Sequence, residues 1–324
     1  MRRGECAQRA TMQLAWIQRH PALPQPKGGR GGRNGVLTVQ GVGMDRARLK
    51  AIPAVYRLYQ LCCFLLFQPQ RWAAAVRDHT EGLMVDGLPL PPAKLRHRVH
   101  GALDRESFLR LGQVVSRSLH DLVGRAGRRL DSFESILDFG CGSGRVLRFL
   151  TADAPRARFH ATDIDPEPIA WGRQHMPGIA WSCNGFTPPL PYPDASFDLI
   201  YAISVFSHLD ETFQNAWLCE LERVARPGAI VILTTHGERL AHALAPSEQA
   251  RLEADGILFC TGATGRLKLD GLPDFYQSTF HKRSYIDQVW GRHFQVVDYV
   301  EGAIDDYQDA AVLRKRAAAA PAAP

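Results

Sequence analysis

One stretch limits what this chain can fold into more than any other: Ser135-Ile-Leu-Asp-Phe-Gly-Cys-Gly-Ser-Gly-Arg-Val-Leu-Arg-Phe149. It reads as a short buried strand around Ile136 and Leu137, a turn carrying Gly140, Gly142 and Gly144, and an amphipathic helix with Val146, Leu147, Phe149 and Leu150. A strand that passes through a tight turn into a helix leaves backbone N–H groups without partners at the strand's carboxyl end. Glycines there allow positive φ and let a ligand approach the backbone. The stretch therefore predicts a nucleotide-type binding turn in an α/β fold. In the dinucleotide fingerprint the third glycine would stand at position 145, which is Arg145; here it comes one residue earlier. That spacing argues against an NAD-dependent oxidoreductase.

Downstream, strands and helices alternate, which predicts a parallel sheet with helices on both faces. Expected strands are 158–163, 179–184, 197–204 and 229–236. Expected helices are 166–175 and 211–225, the second broken by Arg226-Pro-Gly228. A last helix at 284–290 leads to strands 294–300 and 308–313, read as an antiparallel pair closing the sheet. Residues 237–282 form an insertion long enough to act as a lid.

Charge is unevenly distributed. Residues 1–50 hold 10 Lys/Arg and 2 Asp/Glu, whereas the remainder holds 29 and 31, so the net +6 resides in the N-terminal extension. The near-neutral remainder argues against a nucleic-acid footprint on the α/β domain. Residues 1–43 include Lys27-Gly-Gly-Arg-Gly-Gly-Arg33 and read as disordered, either a dispensable extension, an untranslated one if Met44 is the start, or an RNA-binding tail. Deleting residues 1–43 is expected to leave the melting temperature nearly unchanged; a large drop in a calorimetric scan would mean that the segment is folded. Seven cysteines with no C-x-x-C pair predict neither disulfide framework nor zinc site and fit a reducing cytoplasm. No apolar run reaches the length of a membrane span.

Residues 44–77 read as helical, with Pro69 expected to end the helix. Its apolar run, Leu61 to Phe67, is expected to pack on the catalytic domain, with docking to a membrane surface or partner through 55–67 as the alternative. A helix over about 104–125 carries Phe108, Leu111, Val115, Leu119 and Leu122 on one face.

The turn Asp138-x-Gly-x-Gly-x-Gly144 resembles the first motif of the class I S-adenosylmethionine-dependent methyltransferases. So do Leu190-Pro-Tyr-Pro-Asp-Ala-Ser-Phe-Asp-Leu-Ile200, Ser204-Val-Phe-Ser-His-Leu209 and Arg226-Pro-Gly228, in the family's order. The resemblance covers residues 135–236. It implies a Rossmann-like seven-stranded sheet, mostly parallel with the last strand antiparallel, over 131–316. It also implies an N-terminal helical cap at 44–130, with 317–324 a flexible tail.

By this resemblance, S-adenosylmethionine would contact Asp138, Gly140, Cys141, Gly142, Gly144, Asp163, Ile164, Asn184, Gly185 and Ser204. Asp163, at the end of the second strand, suits the ribose hydroxyls, and Asp165, just before Pro166, suits the helix cap. Asn184, with Gly185 and Phe186, either borders the adenine or forms an ordinary turn. His208 is the leading candidate base, and His236, Tyr276 and His281 are weaker ones. Arg145 either reaches a carboxylate or lies on a solvated face, and Cys141 reads as a small turn residue. The function implied is methyl transfer to a small-molecule acceptor, without metal. The alternatives are a non-catalytic cofactor-binding scaffold and an RNA methyltransferase.

Overall fold

The computed structural model describes residues 53–260 and 277–317. Its elements follow the sequence pattern closely from Ser135 onward. The main sheet contains β3 (Ser135–Phe139), β4 (Arg158–Asp163), β5 (Ala180–Cys183), β6 (Phe197–Ala202), β7 (Ala225–Thr235), β10 (Gln295–Ile304) and β11 (Gln308–Arg314). Its spatial order is β5-β4-β3-β6-β7-β11-β10. The first five strands run parallel, and β11 is antiparallel to both β7 and β10. β7 starts four residues earlier than its apolar run suggests, at Ala225. Positive φ at Gly228 turns the Arg-Pro-Gly segment into the strand, and Gly228 N–H donates to Lys315 O at 2.9 Å.

Period-two alternation sends side chains into two cores. Ile136, Leu199, Tyr201, Ile230 and Ile232 share one face with Val115, Leu119 and Leu122 of α3 (Arg105–Arg125). Leu137, Ile200, Val231 and Leu233 share the other with Trp217, Leu218 and Leu221 of α6 (Glu211–Val224). α3, capped by Asp104, thus belongs to the core of the sheet domain itself. It is tied to β10 by Ser118 Oγ donating to Ala303 O and by the Arg125–Asp298 pair. The intervening helices are α4 (Leu147–Asp153) and α5 (Pro166–His175).

The N-terminal part departs from expectation. α1 spans Pro53–Glu81 and runs through Pro69. A proline inside a helix costs about 3 kcal/mol, and here tertiary anchoring offsets it. Asp78 near the far end accepts from Ala93 N (2.7 Å), which starts α2 (Ala93–His100), and from the guanidinium groups of Arg96 and Arg105, both at 3.0 Å. Pro69 is exposed, so its ring meets no core. The expected packing of the apolar run holds only in part. Leu61, Leu65 and Leu66 are exposed, whereas on the opposite side of α1 the Phe67 ring lies 4.9 Å from that of His97. Between α1 and α2 lies a hairpin of β1 (Met84–Val85) and β2 (Leu88–Pro89).

The insertion after β7 contains α7 (Glu238–Ala241), α8 (Pro246–Asp255) and an antiparallel pair, β8 (Ile257–Cys260) with β9 (Ser278–His281). A bridge from His236 to Phe280 docks it on the end of β7. A helical run from Arg283–Tyr285 to Gly291–His293 then leads into β10. The expectations for 1–43, Tyr276 and residues 318–324 lie outside the described residues.

Candidate active site

Strand order reverses between β3 and β6, and crevices at such a point, outside the strands' carboxyl ends, are where open α/β sheets bind ligands. The glycine turn opens there. Gly140, Gly142 and Gly144 have φ of +81°, +52° and +75°. Conformation and space both exclude larger residues. A Cβ on Gly140 would collide with Val205, one on Gly142 would lie 2.7 Å from Val99 of α2, and one on Gly144 would lie 2.9 Å from the Trp181 ring. Val205 belongs to the loop after β6 and Val99 to the N-terminal region. The turn is therefore where three parts of the chain meet.

Asp163 ties the turn down. Its Oδ2 accepts from Gly142 N (2.8 Å) and its Oδ1 from Asp165 N (2.9 Å). A carboxylate offers about four lone-pair positions, so these two bonds leave acceptor capacity at the half-buried group. Burial pushes its pKa up, against the pull of those N–H donors. Asp165 caps α5 through Glu167 N, as expected, and also pairs with Arg98 of α2 at 2.6 Å.

Asp138 lies beneath the turn, buried, and Tyr201 OH donates to its Oδ2 at 2.9 Å. Burial raises its pKa to about 8; the Tyr201 bond and Arg145 oppose that rise, whereas Asp163 adds to it. Arg145 is buried, which rules out the solvated-face reading. It faces His100 of α2, whose pKa falls to about 3 through burial first and the Arg145 charge second. Ser143 Oγ and His100 Nε2 are buried beside the turn with no hydrogen-bond partner among the described residues. Cys141 is buried with its thiol pushed well upward, a small turn residue and not a nucleophile.

The adjoining rim holds Ile164 and Asn184. Asn184 N donates to Asp163 O (3.0 Å), its Oδ1 accepts from Thr162 Oγ1 (2.8 Å), and its Nδ2 donates to Gly185 O. Gly185 and Phe186 are exposed.

On the other side of the turn, the loop after β6 is held by two strands. Ser204, at φ +60°, donates from N to Thr234 Oγ1 (2.8 Å) and from Oγ to Gln308 Oε1 (3.0 Å). Gln308 Nε2 donates in turn to Ser207 Oγ (3.3 Å). His208 Nδ1–H donates to Gln277 O at 2.6 Å; a carbonyl only accepts, so Nε2 is the acceptor nitrogen of this tautomer. Burial lowers its pKa to about 4 and keeps the ring neutral at pH 7. The His236 ring lies 5.4 Å away, edge to face, and burial holds its pKa well below the usual value.

His281 is fully buried, next to the His236–Phe280 bridge, with its backbone N–H donating to His236 O at 2.9 Å. Its ring lies 5.6 Å from that of Trp290. Gln214 Nε2 donates to Phe206 O and Leu209 O, so Gln214 Oε1 must accept from His281 Nε2–H at 3.0 Å. Burial brings the His281 pKa to about 3. The unfolded chain takes up this proton below pH 6.5 and the folded chain only near 3, so the stabilisation present above 6.5 is lost as pH falls between those values. Relative to His281→Gln, which keeps the Nε2 donor, the wild type is expected to lose roughly 2 kcal/mol between pH 7 and pH 5. Denaturant titrations at the two pH values check this, and parallel losses in both proteins would refute it.

Sequence reasoning missed Gln308, Tyr201 and the α2 residues Arg98, Val99 and His100. Tyr201 and Gln308 read as ordinary strand positions. The only signal for α2 was the dense Arg/His run from Arg96 to His100.

The sheet order, the switch-point turn and its acidic partners define a Rossmann-like nucleotide-type binding fold. Residues 136–228 match the family model described as "Methyltransferase domain", and this segment is a class I S-adenosylmethionine-dependent methyltransferase domain. Relatives include the malonyl-[acyl-carrier protein] O-methyltransferase of Hahella chejuensis, 34% identical over 125 residues, covering 38% of this chain and 43% of that protein. Another is the ajmaline N-methyltransferase of Rauvolfia serpentina, 32% identical over 121 residues, covering 36% and 40%. The chain thus spans less than half the length of these two relatives. Among solved structures, the 1,6-didemethyltoxoflavin-N1-methyltransferase of Burkholderia thailandensis aligns with a TM-score of 0.46 at 14% identity, covering 72% of this chain and 93% of that one. Among the described residues no helix is long and apolar enough to cross a membrane, and no His/Cys/Asp/Glu group is arranged to hold a metal.

Proposed function

We propose that this chain transfers a methyl group from S-adenosylmethionine to a hydroxyl-bearing small-molecule acceptor, with His208 as the base. The observation that carries this reading is the glycine turn held by Asp163 at the switch point, with the tautomer of His208 set on the same rim. The residues present fit the cofactor. Three positive-φ glycines shape the turn at the switch point, Asp163 keeps acceptor capacity for ribose hydroxyls, and the unpartnered Ser143 Oγ supplies a donor. Asp138, Ile164, Asn184, Gly185 and Ser204 complete the cofactor set we assign.

When bound, the cofactor supplies a methyl sulfonium that is already activated. The protein's main task is then orientation. Tyr201 fixes the Asp138 carboxylate under the turn. Gln308 and Thr234 fix Ser204, and Gln277 O fixes the His208 ring so that Nε2 can take the acceptor's proton. His236 packs against His208 and restricts its rotation. The insertion, docked at His236, serves as the lid on the acceptor side.

Calorimetric titration with S-adenosylmethionine, S-adenosylhomocysteine and NAD in parallel tests the cofactor assignment; binding of NAD alone, or of nothing, would overturn it. Asp163→Ala is expected to weaken S-adenosylmethionine by about 1–3 kcal/mol, the scale of hydrogen bonds to a charged group. Unchanged affinity in the same titration would remove Asp163 from the site.

A further inference from the structure

Among the described residues, one face of α1 packs on the domain and another, apolar, stays exposed. At 100° per residue, Leu58, Leu61, Leu65, Trp72 and Val76 fall within an arc of about 60°. All five are exposed, Leu61 by 51%, Leu65 by 56% and Trp72 by 72%. Phe67, Ala74 and Asp78 lie on the opposite side, where Phe67 and Asp78 make the contacts to α2. The exposed stripe is not scattered surface. Of the nine large apolar side chains exposed among the described residues, eight fall between Leu58 and Leu88, the last two being Met84 and Leu88 of the adjoining hairpin. Contiguous patches of this kind mark interaction sites.

The charge pattern names the partner. Between Arg57 and Arg71 lie 13 residues without a charge. Upstream stand Arg46, Arg48, Lys50 and Arg57 against the single acid Asp45, and residues 1–50 together hold 10 basic and 2 acidic residues. A helix pair between two copies would be expected to carry flanking charges of both signs beside its apolar seam. An uncharged apolar stripe beside an excess of arginine and lysine complements anionic headgroups over hydrocarbon. The uncharged interval is roughly 20 Å long as helix, short of the roughly 30 Å of a bilayer core, so it can lie on a membrane but not span one.

We propose that α1 binds the surface of an anionic lipid bilayer through Leu58, Leu61, Leu65 and Trp72. The test is co-sedimentation of the full chain with phosphatidylcholine vesicles, with and without phosphatidylglycerol. Vesicles containing phosphatidylglycerol are expected to capture the protein, with capture falling as salt rises. The double variant Leu61→Asp/Leu65→Asp is expected to reduce capture by at least roughly tenfold. Its melting temperature should stay unchanged, because both side chains are already exposed. Trp72→Phe should remove most of the fluorescence quenching by brominated phosphatidylcholine in the same vesicles while capture persists. The proposal is overturned by no capture, by equal capture on neutral vesicles, or by capture that the double variant leaves intact. It is overturned equally by a dimer in light scattering that the double variant dissolves, which would assign the stripe to a second copy.

Discussion

His208→Asn is expected to lower kcat by roughly 10²–10⁴-fold, the usual contribution of a positioned general base, while the affinity for S-adenosylhomocysteine stays unchanged. Asparagine retains a donor where Nδ1–H meets Gln277 O, so the loop after β6 keeps its anchor and only the acceptor nitrogen is lost. The readout is turnover on any acceptor that the wild-type protein methylates, paired with calorimetry on the cofactor product. Undiminished turnover would make His208 a structural residue. The pH profile offers a second check. With a pKa near 4 the ring is neutral across the physiological range, so the acid limb of kcat/KM is expected near pH 4, within the limits of folding stability, and not near 6.5.

Asp78→Ala is expected to cost about 3–5 kcal/mol of stability, the range for leaving a buried charge without its partner. The Arg96 side chain is only 2% exposed, and its remaining bonds go to the carbonyls of Pro91 and Leu103. Those acceptors are neutral and cannot replace the carboxylate. The same substitution removes the acceptor for Ala93 N at the start of α2 and one partner of Arg105. Because α2 places Val99 against Gly142, Arg98 on Asp165 and His100 beside Arg145, the affinity for S-adenosylmethionine is expected to fall with stability. Differential scanning calorimetry and cofactor titration measure the two effects. A melting temperature within a degree or two of wild type would show that Arg96 does not depend on Asp78.

The site's two halves differ in how they are built. The proposed cofactor side is backbone geometry, three left-handed glycines and a carboxylate that holds one of them. The proposed acceptor side rests on one side chain, His208, whose ring is set by the Gln277 carbonyl and packed by the His236 ring. Substitutions on the first side should act through binding, and those on the second through turnover.

The sheet was legible from residue 135 onward because its signals are local. Period-two apolar strands, the Asp165-Pro166 cap and the glycine turn are each decided within a few residues, and their ends fell within about four residues of the expected places. Asp163 was legible as a candidate from its place at a strand end. The sequence could not say that its oxygens also close the glycine turn, because that bond joins residues 21 apart. Pro69 misled for the same reason in reverse. Its local penalty was correctly read, but the Asp78–Arg96–Arg105 cluster that outweighs it forms only when three elements meet.

Strand and helix order, the switch-point turn and the family of the domain follow from local sequence, because backbone propensity and motif spacing are written in neighbouring residues. It took the folded arrangement to show that Arg145 is buried, that His208 Nδ1 bonds to Gln277 O, that His281 is fully buried and that, among the described residues, one face of α1 is exposed. Burial and tautomer depend on which groups converge from distant parts of the chain, and no local pattern encodes that convergence.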